Sequence, residues 1–180
     1  LTIGNYEVPI WAKQGWLTSL DDLGEGFAAD DLLPQVAAGL KEEGKLYAAP
    51  FYAESSMLMY RTDLLEKAGL TMPAAPDWDF IKDAAQKMTD KSAEVYGICL
   101  RGKAGWGENM AFVTSMANSM GARWFDTEWK PQFDSPEWKA TLDTYLDLMK
   151  NYGPPGASSN GFNENLALFQ QGKCGMWIDA

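Results

Sequence analysis

The chain has 180 residues, 46% of them hydrophobic, enough for a sizeable core and against intrinsic disorder. Its formal charge is −10 with no Lys/Arg cluster, which argues against nucleic acid or an anionic membrane surface as partner. There is no His at all, so the commonest general base and the commonest metal ligand are both missing, and no cofactor or metal site is implied.

In chain order, LTIGN (1–5) reads as a short apolar strand, followed by a short helix over 7–14 that ends at Gly15. Residues 16–30 read as loop. In DDLLPQVAAGLKEEG, Leu33, Val36, Ala37 and Leu40 share one helical face and Gly44 reads as the stop. Residues 46–60 have strand composition. TDLLEKAG is a short helix capped by Thr62 or Asp63 and ended by Gly69. Ile81, Ala84, Ala85 and Met88 mark the next helix, led by Trp78. VYGICL (95–100) is a continuous apolar strand of the kind covered on both faces. Val113, Met116, Ala117 and Met120 form a further helical stripe stopped by Gly121. Ser135 caps a helix with Pro136 at its first position, and its expected buried face is Trp138, Leu142, Tyr145, Leu146 and Met149. NENLALFQQG is a helix and KCGMWIDA a final strand. Helices alternating with strands predict an α/β fold with a mainly parallel sheet.

Cys99 and Cys174 lack a zinc-site spacing and read as two small buried apolar residues. A disulfide is the alternative, since both fall in strands that could be neighbours. No apolar run reaches the length of a membrane span. Both termini read as cut from something longer.

No G-x-S-x-G, Walker A or G-x-G-x-x-G pattern occurs, and GKAGWGEN lacks the lysine-serine ending that cradles phosphate. Glu54, Glu108 and Asp179 are candidates for a carboxylate-dependent glycoside hydrolase. A binding role draws on more of the chain. In open α/β sheets, ligands sit beyond the carboxyl ends of strands. Tyr6 follows the first predicted strand; Arg101, Trp106, Glu108 and Asn109 follow VYGICL; Trp177 and Asp179 lie in the last strand; Glu54 interrupts an apolar one. Aromatic faces that cover C–H surfaces, with charged and amide groups that hydrogen-bond hydroxyls, are what a sugar or polyol requires. Trp106 and Trp177 are the expected stacking faces. An isolated interaction module without ligand is a third reading.

Three segments carry a family resemblance: GKLYAAPFYAESSMLMYRTDLLEKAGLTMPAAPDWDFIKDAAQKM, LALFQQGKCGMWIDA with its Phe, two residues and Gly-Lys ahead of an apolar strand, and GNYEVPIWAKQGWLTSLDDL. Together they resemble the solute-binding proteins of ABC importers, in the large group that includes maltose-binding protein. LRGKAGWGEN and GNYEVPIW are similar to its polyol branch, which takes up mannitol, sorbitol and related alditols. The resemblance implies a periplasmic-binding-protein type II fold of two α/β lobes around a ligand cleft. It implies no catalysis, a polyol or small sugar as ligand, ABC permease subunits as partners, and a periplasmic or lipid-anchored location. On that pattern, residues 1–50 are the tail of lobe one, 51–174 the bulk of lobe two and 175–180 a return crossing. Tyr52 and Glu54 enter the cleft from the first crossing near Pro50, and Trp177 and Asp179 from the return. Family members are longer than this chain. The first segment is therefore expected to be rearranged, disordered or strand-paired with another copy, and ligand binding by the piece alone to be weak.

Overall fold

The computed structural model describes residues 1–105 and 107–180, with Glu25 by its backbone alone. The chain forms two compact units, Leu1–Glu54 and Ser55–Ala180. No helix among the described residues is long and apolar enough to cross a membrane.

The first unit carries α1 (Glu7–Lys13), two 3-10 turns, α2 (Pro34–Ala38) and a hairpin of β1 (Lys41–Glu42) and β2 (Lys45–Leu46). The Glu7 carboxylate accepts from the Gly4 N–H at 2.7 Å, which ties the helix start to the chain ahead of it. Val8, Leu40 and Leu46 are its buried core, with Ile3, Leu17, Leu20 and Tyr47 packed around them. Asp21 accepts from the Leu46 N–H at 3.1 Å, and that bond holds its carboxyl below the usual range. Disorder of this segment, one of the outcomes expected above, is thus not what the structure shows.

Three expectations fail here for identifiable reasons. Residues 1–5 are not a strand: the hairpin pairs only with itself, and no described strand pairs with them. The long helix shrinks to five residues: Leu33 precedes a proline and is extended, and Glu43 and Gly44, both at positive φ, turn the chain into the hairpin. Gly44 is therefore a turn residue, not a helix stop. The predicted strand 46–60 is interrupted. Residues 47–56 form no regular element, and Phe51 is 90% exposed. Only Met57–Tyr60 pairs, as β3.

The second unit is built on a three-stranded sheet in the order β3, β5 (Cys174–Asp179), β4 (Tyr96–Cys99). β5 runs parallel to β4, with Ile98 opposite Met176, and antiparallel to β3, with Tyr60 opposite Met176. The sheet is mixed, not mainly parallel, because the edge strand β3 runs antiparallel to the central β5. α3 (Thr62–Lys67), α4 (Trp78–Met88), α5 (Glu108–Ser119), α6 (Pro136–Asp147) and α7 (Phe162–Gln170) complete the unit.

Local sequence explains most of these helices. The Asp77 carboxylate accepts from the Phe80 N–H at 2.8 Å and caps α4, whose Ile81, Ala84, Ala85 and Met88 are all buried as the stripe predicts. Gly97 on β4 lets α4 approach closely: a Cβ there would lie 1.8 Å from the Ala85 carbonyl oxygen. α3 departs from expectation, since Arg61 and not Thr62 or Asp63 is its N-cap. On α6, Ser135 caps the Trp138 N–H at 3.3 Å as expected, but the buried line is Trp138, Thr141, Tyr145 and Leu148. Leu142 and Leu146 are exposed. Thr141 accepts burial because its hydroxyl donates to the Glu137 carbonyl at 2.8 Å, while the Trp138 indole N–H anchors the face by donating to Arg123 O at 2.6 Å.

Cys99 and Cys174 form a disulfide, so the reading of two free thiols is overturned. Their strands are adjacent in the sheet. Both half-cystines are fully buried, in a small cluster with Trp177, Phe162, Leu166 and Phe169.

Candidate functional site

The polar chemistry of the second unit gathers where β4 and β5 end. Arg101 leaves β4 two residues after Cys99, and Asp179 closes β5. The two meet side by side: Arg101 Nε donates to Asp179 Oδ2 at 2.7 Å, and Nη2 donates to Oδ1. Asp179 is 5% exposed and its Oδ1 also accepts the Ala180 N–H at 2.8 Å. Two parallel bonds from one planar fork give the geometry in which a buried carboxylate recovers much of its desolvation cost.

A second carboxylate stands on the other side of the guanidinium. Glu108, the first residue of α5, lies 3.8 Å from Arg101 Nη1, and Nη1 donates to the Gly107 carbonyl at 3.4 Å. Glu108 in turn accepts the Phe162 N–H at 3.3 Å, at the start of α7. Gly161 makes room for this carboxyl: a Cβ there would sit 2.6 Å from Glu108 Oε2. The Phe162 ring lies 5.2 Å from Arg101 Cζ, within cation–π range. Beneath, the Tyr145 hydroxyl donates to the Arg101 carbonyl at 2.7 Å, and burial pushes its pKa up. The Glu164 carboxylate accepts the Gly161 N–H at 2.8 Å, which lowers its pKa and fixes the chain just before α7.

The structure thus brings Arg101, Glu108 and Asp179 together. Asn109 is the next residue of α5, half-buried, its N–H donating to the Lys103 carbonyl at 3.1 Å. Trp106 lies outside the described residues. Trp177 is not an open stacking face in this unit. It is 3% exposed, with ring centroids 5.4 Å from Phe162 and 5.9 Å from Phe169, because the apolar cluster at the disulfide encloses it. Its indole Nε1 has no hydrogen-bond partner among the described residues.

Tyr6, Tyr52 and Glu54 belong to the first unit and are exposed there. Tyr6 precedes α1. Tyr52 hydrogen-bonds to Glu54, whose charge holds the phenol above its ordinary pKa. Glu54 is therefore solvated, and the cost of burying it in an apolar strand does not arise.

Sequence reasoning missed Tyr145, Gly161 and Phe162 as parts of this centre. Tyr145 was legible only as a helix core residue. The signal for the other two was a glycine immediately ahead of a helix whose first side chain is aromatic. Two open grooves of about 420 and 610 Å³ flank Tyr96, Pro154 and Pro155. They include none of Arg101, Glu108 or Asp179, so the charged cluster lies apart from both hollows.

Residues 1–180 match the family described as bacterial extracellular solute-binding protein. The chain belongs to that family. Among its relatives is the mannitol-binding protein of Pseudomonas aeruginosa, 56% identical over all 180 residues, of which the chain spans 41%. A solute-binding protein of Agrobacterium vitis S4, solved with bound D-mannitol, is 74% identical with a TM-score of 0.92 over 98% of this chain and 43% of that one. A protein of Agrobacterium radiobacter K84 in complex with ribitol is 29% identical, with a TM-score of 0.81 over 97% of this chain and 44% of the other. The periplasmic-binding-protein type II fold inferred from the sequence is the fold of these relatives.

Proposed function

We propose that this chain is part of the substrate-binding component of an ABC importer and that its ligand is an alditol of the mannitol kind. The observation that carries the proposal is the 74% identity to a solute-binding protein holding D-mannitol, together with 56% identity to a mannitol-binding protein. Residues 1–50 would be the tail of one lobe, 51–174 the bulk of the other and 175–180 the return crossing. In this reading Arg101, Glu108, Asn109 and Asp179 form the polar centre that meets ligand hydroxyls. Tyr6, Tyr52 and Glu54 are the proposed contacts of the first unit. Trp106 supplies a stacking face, and Trp177 supports the centre from below.

A carrier, not an enzyme, fits the chemistry. Glu108 and Asp179 are both committed to one guanidinium and to backbone N–H groups, so these two are not poised as an acid and base pair. A buried disulfide suits an oxidising compartment, in keeping with a periplasmic or lipid-anchored protein that delivers its cargo to permease subunits. Strand-mediated pairing of the short chain with itself would use an edge strand of the sheet such as β3.

Isothermal titration of the full-length protein with D-mannitol, D-sorbitol, ribitol and maltose tests the proposal. Binding of one or more alditols well ahead of maltose is expected. Maltose binding with no alditol binding would overturn it.

A further inference from the structure

An arginine at the end of a strand in a binding protein has two opposite uses. Its planar fork can receive a ligand carboxylate or phosphate, or it can be spent inside the protein. Here the fork is spent. Both of its parallel bonds go to Asp179, which is 5% exposed and further held by the Ala180 N–H. The opposite edge faces Glu108 and the Gly107 carbonyl, and the Phe162 ring lies 5.2 Å from Cζ. Within this cluster one guanidinium is shared by two carboxylates. A ligand arriving there meets the partly exposed Glu108 carboxylate, which accepts from hydroxyl groups and repels anions, beside a guanidinium already neutralised by the buried Asp179.

Resting on the polyol-binding reading above, we propose that the Arg101–Asp179–Glu108 centre selects uncharged polyols and rejects the oxidised or phosphorylated forms of the same carbon skeleton. Arg101 is an internal counter-ion whose neutralisation by Asp179 sets that preference. The specificity then resides in Asp179 and Glu108, not in a cation offered to the ligand.

The test is titration of the full-length protein with D-mannitol, D-mannonate and D-mannitol 1-phosphate. The wild type is expected to bind D-mannitol at least a hundredfold more tightly than either anion. Asp179→Asn leaves the Arg101 charge uncompensated, and the ratio of mannitol to mannonate affinity is expected to fall at least tenfold. Glu108→Gln is expected to move the ratio the same way by a smaller factor. It carries the test alone where Asp179→Asn fails to fold. Wild-type affinity for mannonate within threefold of that for mannitol overturns the inference, as does an unchanged ratio in the folded variants. If the wild type binds none of the three ligands, the polyol reading itself falls and the inference falls with it.

Discussion

Asp179→Ala should be among the most destabilising single substitutions in the second unit. Asp179 has a side chain 4% exposed and takes both bonds of the Arg101 fork, whose own side chain is 16% exposed. Removing one partner of a buried pair costs about 3–5 kcal/mol, chiefly because the other charge stays buried without compensation. Residual solvent at Arg101 and the nearby Glu108 place the expectation near the lower end, about 3 kcal/mol. For a unit of this size that corresponds to a fall in Tm of roughly 10 °C. Thermal and urea unfolding followed by near-ultraviolet circular dichroism would read it, with the urea m-value unchanged. A double-mutant cycle supplies the control. Arg101→Met with Asp179→Leu removes both charges and should recover most of the loss. A loss below about 1 kcal/mol, as for an exposed pair, would refute the assignment of this bridge as a buried, structure-bearing interaction.

Further outcomes follow from other parts of the fold. Cys99 and Cys174 close a loop with a sequence separation of 75, for which the chain-entropy relation gives about 4.5 kcal/mol. The Cys99→Ser, Cys174→Ser protein should show an urea midpoint lowered to match, and reductant should have no further effect on it. Gly97→Ala would place a methyl 1.8 Å from the Ala85 carbonyl oxygen, so α4 must move off β4. The expected result is a loss of 3 kcal/mol or more on the order of a severe overpacking defect, checked by thermal melting. Acid should also destabilise the protein, by a definite sign. Asp147 is held below its ordinary value of 3.8 by Lys82 at 2.5 Å, Asp90 by the Ser92 hydroxyl and the Ala93 N–H, and Glu94 below 4.5 by Lys173 at 2.8 Å. Each folded-state pKa lies below the unfolded one, so the unfolded chain binds more protons in that interval. Their contribution is complete above about pH 5 and is lost as pH falls through the carboxylate range. A Tm that stays constant from pH 6 to about pH 3.5 would contradict this, and Asp147→Asn should flatten the dependence.

The helices were legible because their signals are local. The Ser135 cap, Pro136 at a first helical position and the Ile81–Met88 stripe each lie within or beside the helix they dictate, whereas the Asp77 cap is seen only in the structure. What failed depended on partners remote in sequence. LTIGN has strand composition but pairs with no described strand, and 46–60 is apolar enough to pair throughout yet does so in the sheet of the second unit only over Met57–Tyr60, where β5 is available. On α6, the lines through Leu142 and Thr141 both satisfy helical spacing. Hydrophobicity favoured Leu142, while the fixed orientation of Trp138 selects Thr141. Tertiary packing overrode a periodicity that could not distinguish adjacent faces.

At the site, residue types were readable and their pairings were not. Strand ends gave Arg101, Glu108 and Asp179 as polar groups in suitable places, which local pattern can supply. That Arg101 and Asp179, 78 positions apart, satisfy one another follows only from β4 and β5 lying side by side and ending at the same edge of the sheet. The same adjacency joins Cys99 to Cys174, and Trp177, opposite Cys99, packs there with Phe162, Leu166 and Phe169. One parallel strand pair thus converts a list of polar and aromatic candidates into a division of labour. The disulfide cluster is dry and covalently tied, and Trp177 is buried in it. The mouth of the strand pair carries an internal ion pair, the Arg101 guanidinium held by Asp179 on one edge and faced by Glu108 on the other.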